Sequence, residues 1–171
     1  MTVAVETGLW QLDAGASTVA VKHKAMWGLV PVKGVFATVG GGGEVAADGT
    51  VTGSLVLDAA SVDTKNPKRD KHLRSGDFFD VENHPEITFA VRSAELGADG
   101  DVKVSGQLTV RGISRPQNFT ARLSQADADA VTLDATFTVD RNEFGMTLNQ
   151  LGMMGGLTTI TTTLRFTRTV A

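Results

Sequence analysis

The sequence predicts an all-β chain: an eight-stranded antiparallel barrel with one short helix between the third and fourth strands. Three observations carry this. Eight stretches alternate apolar and polar residues with the period of two that marks a half-buried strand. Turn formers such as Ala47-Asp48-Gly49, Asp99-Gly100 and Asp127-Ala128-Asp129 stand between several of them, as antiparallel neighbours require. One segment alone, capped by Asn66 and Pro67, has a helix start signal. An up-and-down barrel leaves no free sheet edge, which favours it over the two-sheet sandwich that the same alternation permits.

In chain order, Trp10-Gln11-Leu12-Asp13 opens the fold as an aromatic packed on the core edge. Ser17 to His23 is the first alternating strand, with Val19, Val21 and His23 on one face. Lys24 to Val30 is an unpatterned connection carrying Met26 and Trp27. Val32 to Val39 is the second strand, with Phe36 its bulkiest member. The four glycines Gly40 to Gly43 read as a flexible turn. No Gly-Lys-Ser/Thr follows them, so they do not match a phosphate-binding loop. Val51 to Asp58 is the third strand.

The helix signal lies inside Asn66 to Gly76, with Gly76 as its stop. Phe78 and Phe79 follow, and two adjacent aromatics are not both left in water cheaply. His84-Pro85 enforces extended backbone into the strand of Ile87, Phe89 and Val91. Asp101 to Val110 alternates cleanly. Gly112 and Pro116 are expected to break the chain before Phe119, Ala121 and Leu123. Val131, Leu133, Ala135, Phe137 and Val139 alternate with polar residues in the most regular strand. Arg141 to Leu157 is a long connection with Met146, Met153 and Met154, a candidate adaptable mouth. Thr158 to Arg168 closes the chain.

Composition excludes several functions. The 171 residues suffice for a single domain spanning 1–171 with a sizeable core or a lined cavity. A net charge of −3 argues against a nucleic-acid partner. There is no cysteine, so disulfides and thiolate chemistry are absent. There is no run of 18 apolar residues, so no stable membrane insertion by a helix is expected. The N-terminal stretch lacks the basic and apolar regions of a signal peptide, which gives an expectation of cytoplasmic location. No nucleophile elbow and no inward pair of carboxylates is visible, so no catalytic residue is assigned and the chain is expected not to be an enzyme. The three histidines, His23, His72 and His84, have no metal-ligand spacing, and neither a metal nor a cofactor is expected.

Several motifs then occur in a fixed order. They are Trp10-x-x-Asp13 with Ser17 and His23, Gly34-x-Phe36, and Ser61-Val62-x-Thr64. Next come Arg69-Asp70-x-His72-Leu73, Asp77-Phe78-Phe79-Asp80 and Pro85-x-Ile87-Thr88-Phe89. Last are Gly106-x-Leu108-Thr109-x-Arg111-Gly112 and Asp140-Arg141-x-x-Phe144-Gly145. Together they resemble the YceI-like family from about Leu9 to Arg168. The resemblance implies a lipocalin-like barrel whose apolar tunnel binds a polyisoprenoid lipid, such as a polyprenyl quinone or polyprenyl alcohol.

On the barrel's inward parity, the candidate tunnel wall is Val19, Val21, Phe36, Leu55, Leu57, Phe89, Val104, Leu108, Phe119, Leu133, Phe137, Ile160, Leu164 and Phe166. The same residues would equally make a dry core. His23 is the candidate head-group contact, with a satisfied structural histidine as the plainer reading. Arg69, Asp70 and His72 are expected to tie the helix to the barrel. The alternatives are a filled barrel serving stress response or a protein partner, or a barrel that takes another amphiphile such as a fatty acid. A homodimer is compatible with the sequence.

Overall fold

The computed structural model describes residues 7–25, 30–48, 50–97, 99–127, 129–145 and 157–169. Among these residues ten strands form one sheet: β1 (Gly8–Leu12), β2 (Thr18–Ala25), β3 (Val30–Phe36), β4 (Thr38–Val45), β5 (Val51–Asp58), β6 (Glu86–Leu96), β7 (Asp101–Val110), β8 (Ile113–Ala126), β9 (Ala130–Asp140) and β10 (Leu157–Thr169). The helix α1 (Pro67–Arg74) lies between β5 and β6.

The ten segments make eight staves. β1 and β2 run in succession along β10, with Leu12 opposite Phe166 and Thr18 opposite Thr163. β3 and β4 run along that same stave, β3 on β2 and β4 on β1. β5 to β10 follow in antiparallel order, and the β1–β10 pairing closes the barrel.

The kink between β1 and β2 is a 3-10 turn, Ala14–Ala16, whose neighbouring backbone finds side-chain partners. The Ser17 hydroxyl donates to Asp13 O at 2.7 Å and accepts from Arg165 N at 3.0 Å. Asp13 N–H also donates to Arg165 O at 2.8 Å, so β1 stays tied to β10 up to the kink.

Two expectations are corrected. Gly40 to Gly43 is not a turn but part of β4, paired with β5 throughout and with β1 at Gly42 and Gly43. The run is glycine because the strands crowd together: a Cβ on Gly42 would lie 2.6 Å from Trp10 O, and one on Gly41 2.6 Å from Ser54 O. At Gly40, by contrast, no atom lies within 4 Å of that position. Gly42→Ala is therefore expected to cost about 1–3 kcal/mol through overpacking. At about 2–4 °C per kcal/mol for a chain of this size, thermal melts should show a drop of several degrees, with Gly40→Ala near the wild type.

Pro116 does not break the chain either. It lies within β8, opposite Gln107 of β7. β9 pairs with β8 only from Ala121 onward, so the first half of β8 has one free side, where a missing N–H costs no ladder bond. Side chains bridge that seam: Gln117 Nε2 donates to Thr138 O at 3.5 Å and Arg115 Nε to Glu143 O at 3.1 Å.

The segment between β5 and β6 covers one end of the barrel. Val62, Phe78 and Phe144 are buried against Leu57, Ile87, Val110 and Val139. Asn66 caps α1, accepting from Arg69 N at 3.1 Å, and Pro67 occupies its first turn. The helix ends at Arg74, with Ser75 as its C-cap and Gly76 one residue beyond.

Asp70 is buried and accepts from both Thr64 N (2.9 Å) and Thr64 Oγ1 (2.5 Å). Arg69 donates through Nε to Thr64 Oγ1 (2.8 Å) and through its terminal nitrogen to Thr64 O (2.9 Å). Both residues thus hold α1 to the strand-like run at Asp63, which bridges to Val35 of β3. Gly34 permits that contact, since a Cβ there would meet Thr64 Cγ2 at 2.9 Å. His72 instead bonds Asp77 at 2.8 Å and ties α1 to its own following turn.

Arg111 clamps the same end from the β7–β8 turn. It donates to Gly145 O at 2.6 Å and to Gly76 O at 3.0 Å.

Candidate functional site

The strands enclose one long cavity of about 600 Å³. Its wall is built by the alternation itself. β7 contributes Val102, Val104, Leu108 and Val110, and β9 contributes Val131, Leu133, Ala135, Phe137 and Val139. Along β10 it runs from Thr158 to Phe166, eight residue steps or about 27 Å of strand. A volume of 600 Å³ falls in the range of small-molecule sites.

All fourteen wall residues expected from the alternation line this cavity. Five of them, Val19, Phe36, Leu57, Val104 and Leu108, are buried. The other nine are only partly buried, although their side chains face inward, as expected beside a hollow rather than a filled core. Across the middle lies an aromatic slab. Phe119 stacks on Phe137 with centroids 4.5 Å apart, and Phe89 leans on Phe119 at 5.5 Å. Phe79 reaches the cavity from the covered end and meets Phe36 edge-on at 5.4 Å. Trp10, buried within β1 rather than ahead of the first strand, is also on the wall.

Besides Thr88 and Thr162 within the strands, polar residues stand on the wall at its two ends. At one rim, Glu44 of β4 and Thr52 and Ser54 of β5 are exposed and line the opening of the β4–β5 hairpin. At the other end stand Arg141, which is 5% exposed, and Thr158. Arg141 belongs to a 3-10 turn, Arg141–Phe144, whose start is capped by Asp140 accepting from Asn142 N at 2.9 Å. The sequence reading places Arg141 in a connection. Yet it is the next odd-numbered residue after Val139, so the inward parity of β9 itself points to it.

His23 is not on the wall. It stands behind Thr158, with Nδ1 3.0 Å from Thr158 Oγ1, and Nε2 is buried without a hydrogen-bond partner among the described residues. His72 lies on α1 and His84 beside Gly112, so the three histidines occupy three separate places. Met26 and Trp27, and the mouth expected from Met146, Met153 and Met154, lie outside the described residues.

Burial lowers the His23 pKa below 6.5, the Arg141 charge lowers it further, and a Leu157 backbone bond partly opposes them. The unfolded chain therefore binds a proton at His23 more readily than the folded one. Stability from this residue is present above pH 6.5 and is lost as pH falls below it towards the folded pKa. Chemical denaturation at pH 7.5 and pH 5.5 should show a smaller loss of stability on acidification in His23→Phe than in the wild type.

The family comparison matches this architecture. The YceI-like domain model covers residues 10–167, nearly the whole chain. The chain belongs to the YceI-like family. A UPF0312 protein of Staphylococcus aureus strain USA300 is 32% identical over 121 residues, 67% of this chain and 68% of that protein. The fold is shared with BcnA of Burkholderia cenocepacia, with a TM-score of 0.78 at 19% identity over 90% of this chain and 98% of that one. It is also shared with a polyisoprenoid binding domain from Saccharophagus degradans, with a TM-score of 0.75 at 18% identity over 96% of this chain and all of that one.

The motifs of this YceI-like chain now have physical roles. Gly34 admits the Asp63–Thr64 contact, Asp70 and Arg69 hold Thr64, Arg111 clamps the covered end, and Arg141 stands at the cavity. Among the described residues, no helix is long and apolar enough to cross a membrane.

Proposed function

We propose that this protein binds one apolar isoprenoid lipid, a polyprenyl quinone or polyprenyl alcohol, inside the barrel, and carries or sequesters it without chemical change. The supporting observation is the cavity, long and apolar along nearly its whole length. The polyisoprenoid-binding neighbour of the same fold adds to it.

The energetics suit such a cargo. Burying each methylene is worth about 0.8 kcal/mol, so a five-carbon unit gains about 4 kcal/mol gross. Several units suffice to offset the cost of association. If each carbon group fills roughly the 30 Å³ of a water molecule, the cavity holds on the order of 20 heavy atoms, or about four isoprene units.

Trp10 on the wall provides a probe. Titration with a quinone carrying a four-isoprene tail should quench tryptophan fluorescence saturably, with one ligand per chain. Absence of saturable quenching, with displacement of a fatty acid instead, would replace the isoprenoid by a straight-chain amphiphile.

A further inference from the structure

We infer that Arg141 and Thr158, with His23 positioning Thr158 from behind, form the head-group subsite of this cavity, and that it selects a ligand whose head accepts hydrogen bonds, a carboxylate or a quinone carbonyl, over an alcohol. This rests on the lipid-binding reading and adds the end at which the head sits and the chemistry that holds it there.

The subsite is assembled by register. His23, Thr158 and Val139 lie side by side across β2, β10 and β9, and Arg141 follows two residues beyond Val139. Thr158 and Arg141 both line the cavity. The His23 ring is fixed behind Thr158 by the 3.0 Å bond, with its second nitrogen buried and unpartnered among the described residues. Arg141 is close enough for its charge to disfavour protonation of His23. A guanidinium stays cationic in proteins and has only donors to offer. Inside a largely apolar wall its field is weakly screened.

A carboxylate or carbonyl oxygen matches such a donor. An alcohol can accept one of these bonds but brings a hydroxyl hydrogen that also needs an acceptor in a buried site. Bonds between ionised partners are about twice as strong as neutral ones, so the preferred order is carboxylate, then carbonyl, then alcohol. Of the other polar wall residues, Glu44, Thr52 and Ser54 are exposed at the opposite rim, and the hydroxyl of buried Thr162, midway along β10, already donates to Ala135 O at 3.5 Å. The head would therefore lie at the Arg141 end with the tail running past the Phe89–Phe119–Phe137 slab towards the β4–β5 hairpin.

The test uses three ligands with the same four-isoprene tail: geranylgeranic acid, a menaquinone and geranylgeraniol. Dissociation constants for the full chain should place the acid at least tenfold tighter than the alcohol, with the quinone between them. Arg141→Met should remove at least tenfold of acid affinity and weaken the alcohol far less. Because Arg141 is buried, Thr158→Val and His23→Phe supply a second reading, each weakening the acid more than the alcohol. Equal affinity of acid and alcohol in the wild type would overturn the subsite while leaving isoprenoid binding intact. Failure of all three ligands would overturn isoprenoid binding itself.

Discussion

Asp70→Ala is expected to lower the melting temperature by roughly 6–12 °C. Asp70 is buried and accepts two hydrogen bonds from Thr64, whose hydroxyl also receives Arg69. Removing the carboxylate leaves the buried Thr64 N–H and hydroxyl without their shared acceptor, a loss of about 3 kcal/mol. A change of 1 kcal/mol shifts the midpoint by about 2–4 °C at this chain length. Because Asp70 does not line the cavity, ligand affinity measured well below the melt should be unchanged. An Asp70→Ala protein that kept its melting temperature but lost ligand would move this residue from the scaffold to the site.

Ala135→Phe should have the opposite profile, with ligand affinity falling at least fiftyfold and stability unchanged or raised. Ala135 faces inward from the middle of β9, opposite Ala121 on β8 and Thr162 on β10, and lines the cavity. A phenyl ring there occupies space the tail would use. Displacing about three carbon groups forfeits about 2.4 kcal/mol at 0.8 kcal/mol each, near a fiftyfold loss, and displacing five forfeits more. The ring replaces empty volume with packed apolar atoms, so the fold gains contacts. Parallel thermal melts and ligand titrations read the two effects separately. Unchanged affinity would show that the ligand does not pass the centre of the barrel.

These contrasting profiles reflect what the sequence makes legible. The wall was readable because it rests on alternation: Val131 to Val139 put every odd residue on one face, and the structure lines the cavity with all five. The helix was readable from Asn66 and Pro67, whose capping roles are local chemistry.

What was not readable depends on approach between distant segments. Gly40 to Gly43 carry no side chains and so no periodicity, and their strand character comes from pairing with β5 and, at Gly42 and Gly43, with β1. Pro116 is tolerated only because β9 pairs with the other half of β8. The split of the first two staves into β1 with β2 and β3 with β4 follows from β10 running along both β1 and β2. Arg141 continues the inward parity of β9, but a charged residue just past a strand reads as solvent-exposed until tertiary packing places it at 5% exposure.

The most direct test of isoprenoid carriage is mass spectrometry of the purified protein under native conditions, with an organic extract of the same sample run beside it. The expected result is one apolar adduct per chain whose extracted mass falls in a series spaced by five-carbon units. A protein that emerges empty and takes up no polyprenyl quinone when offered it would contradict the account.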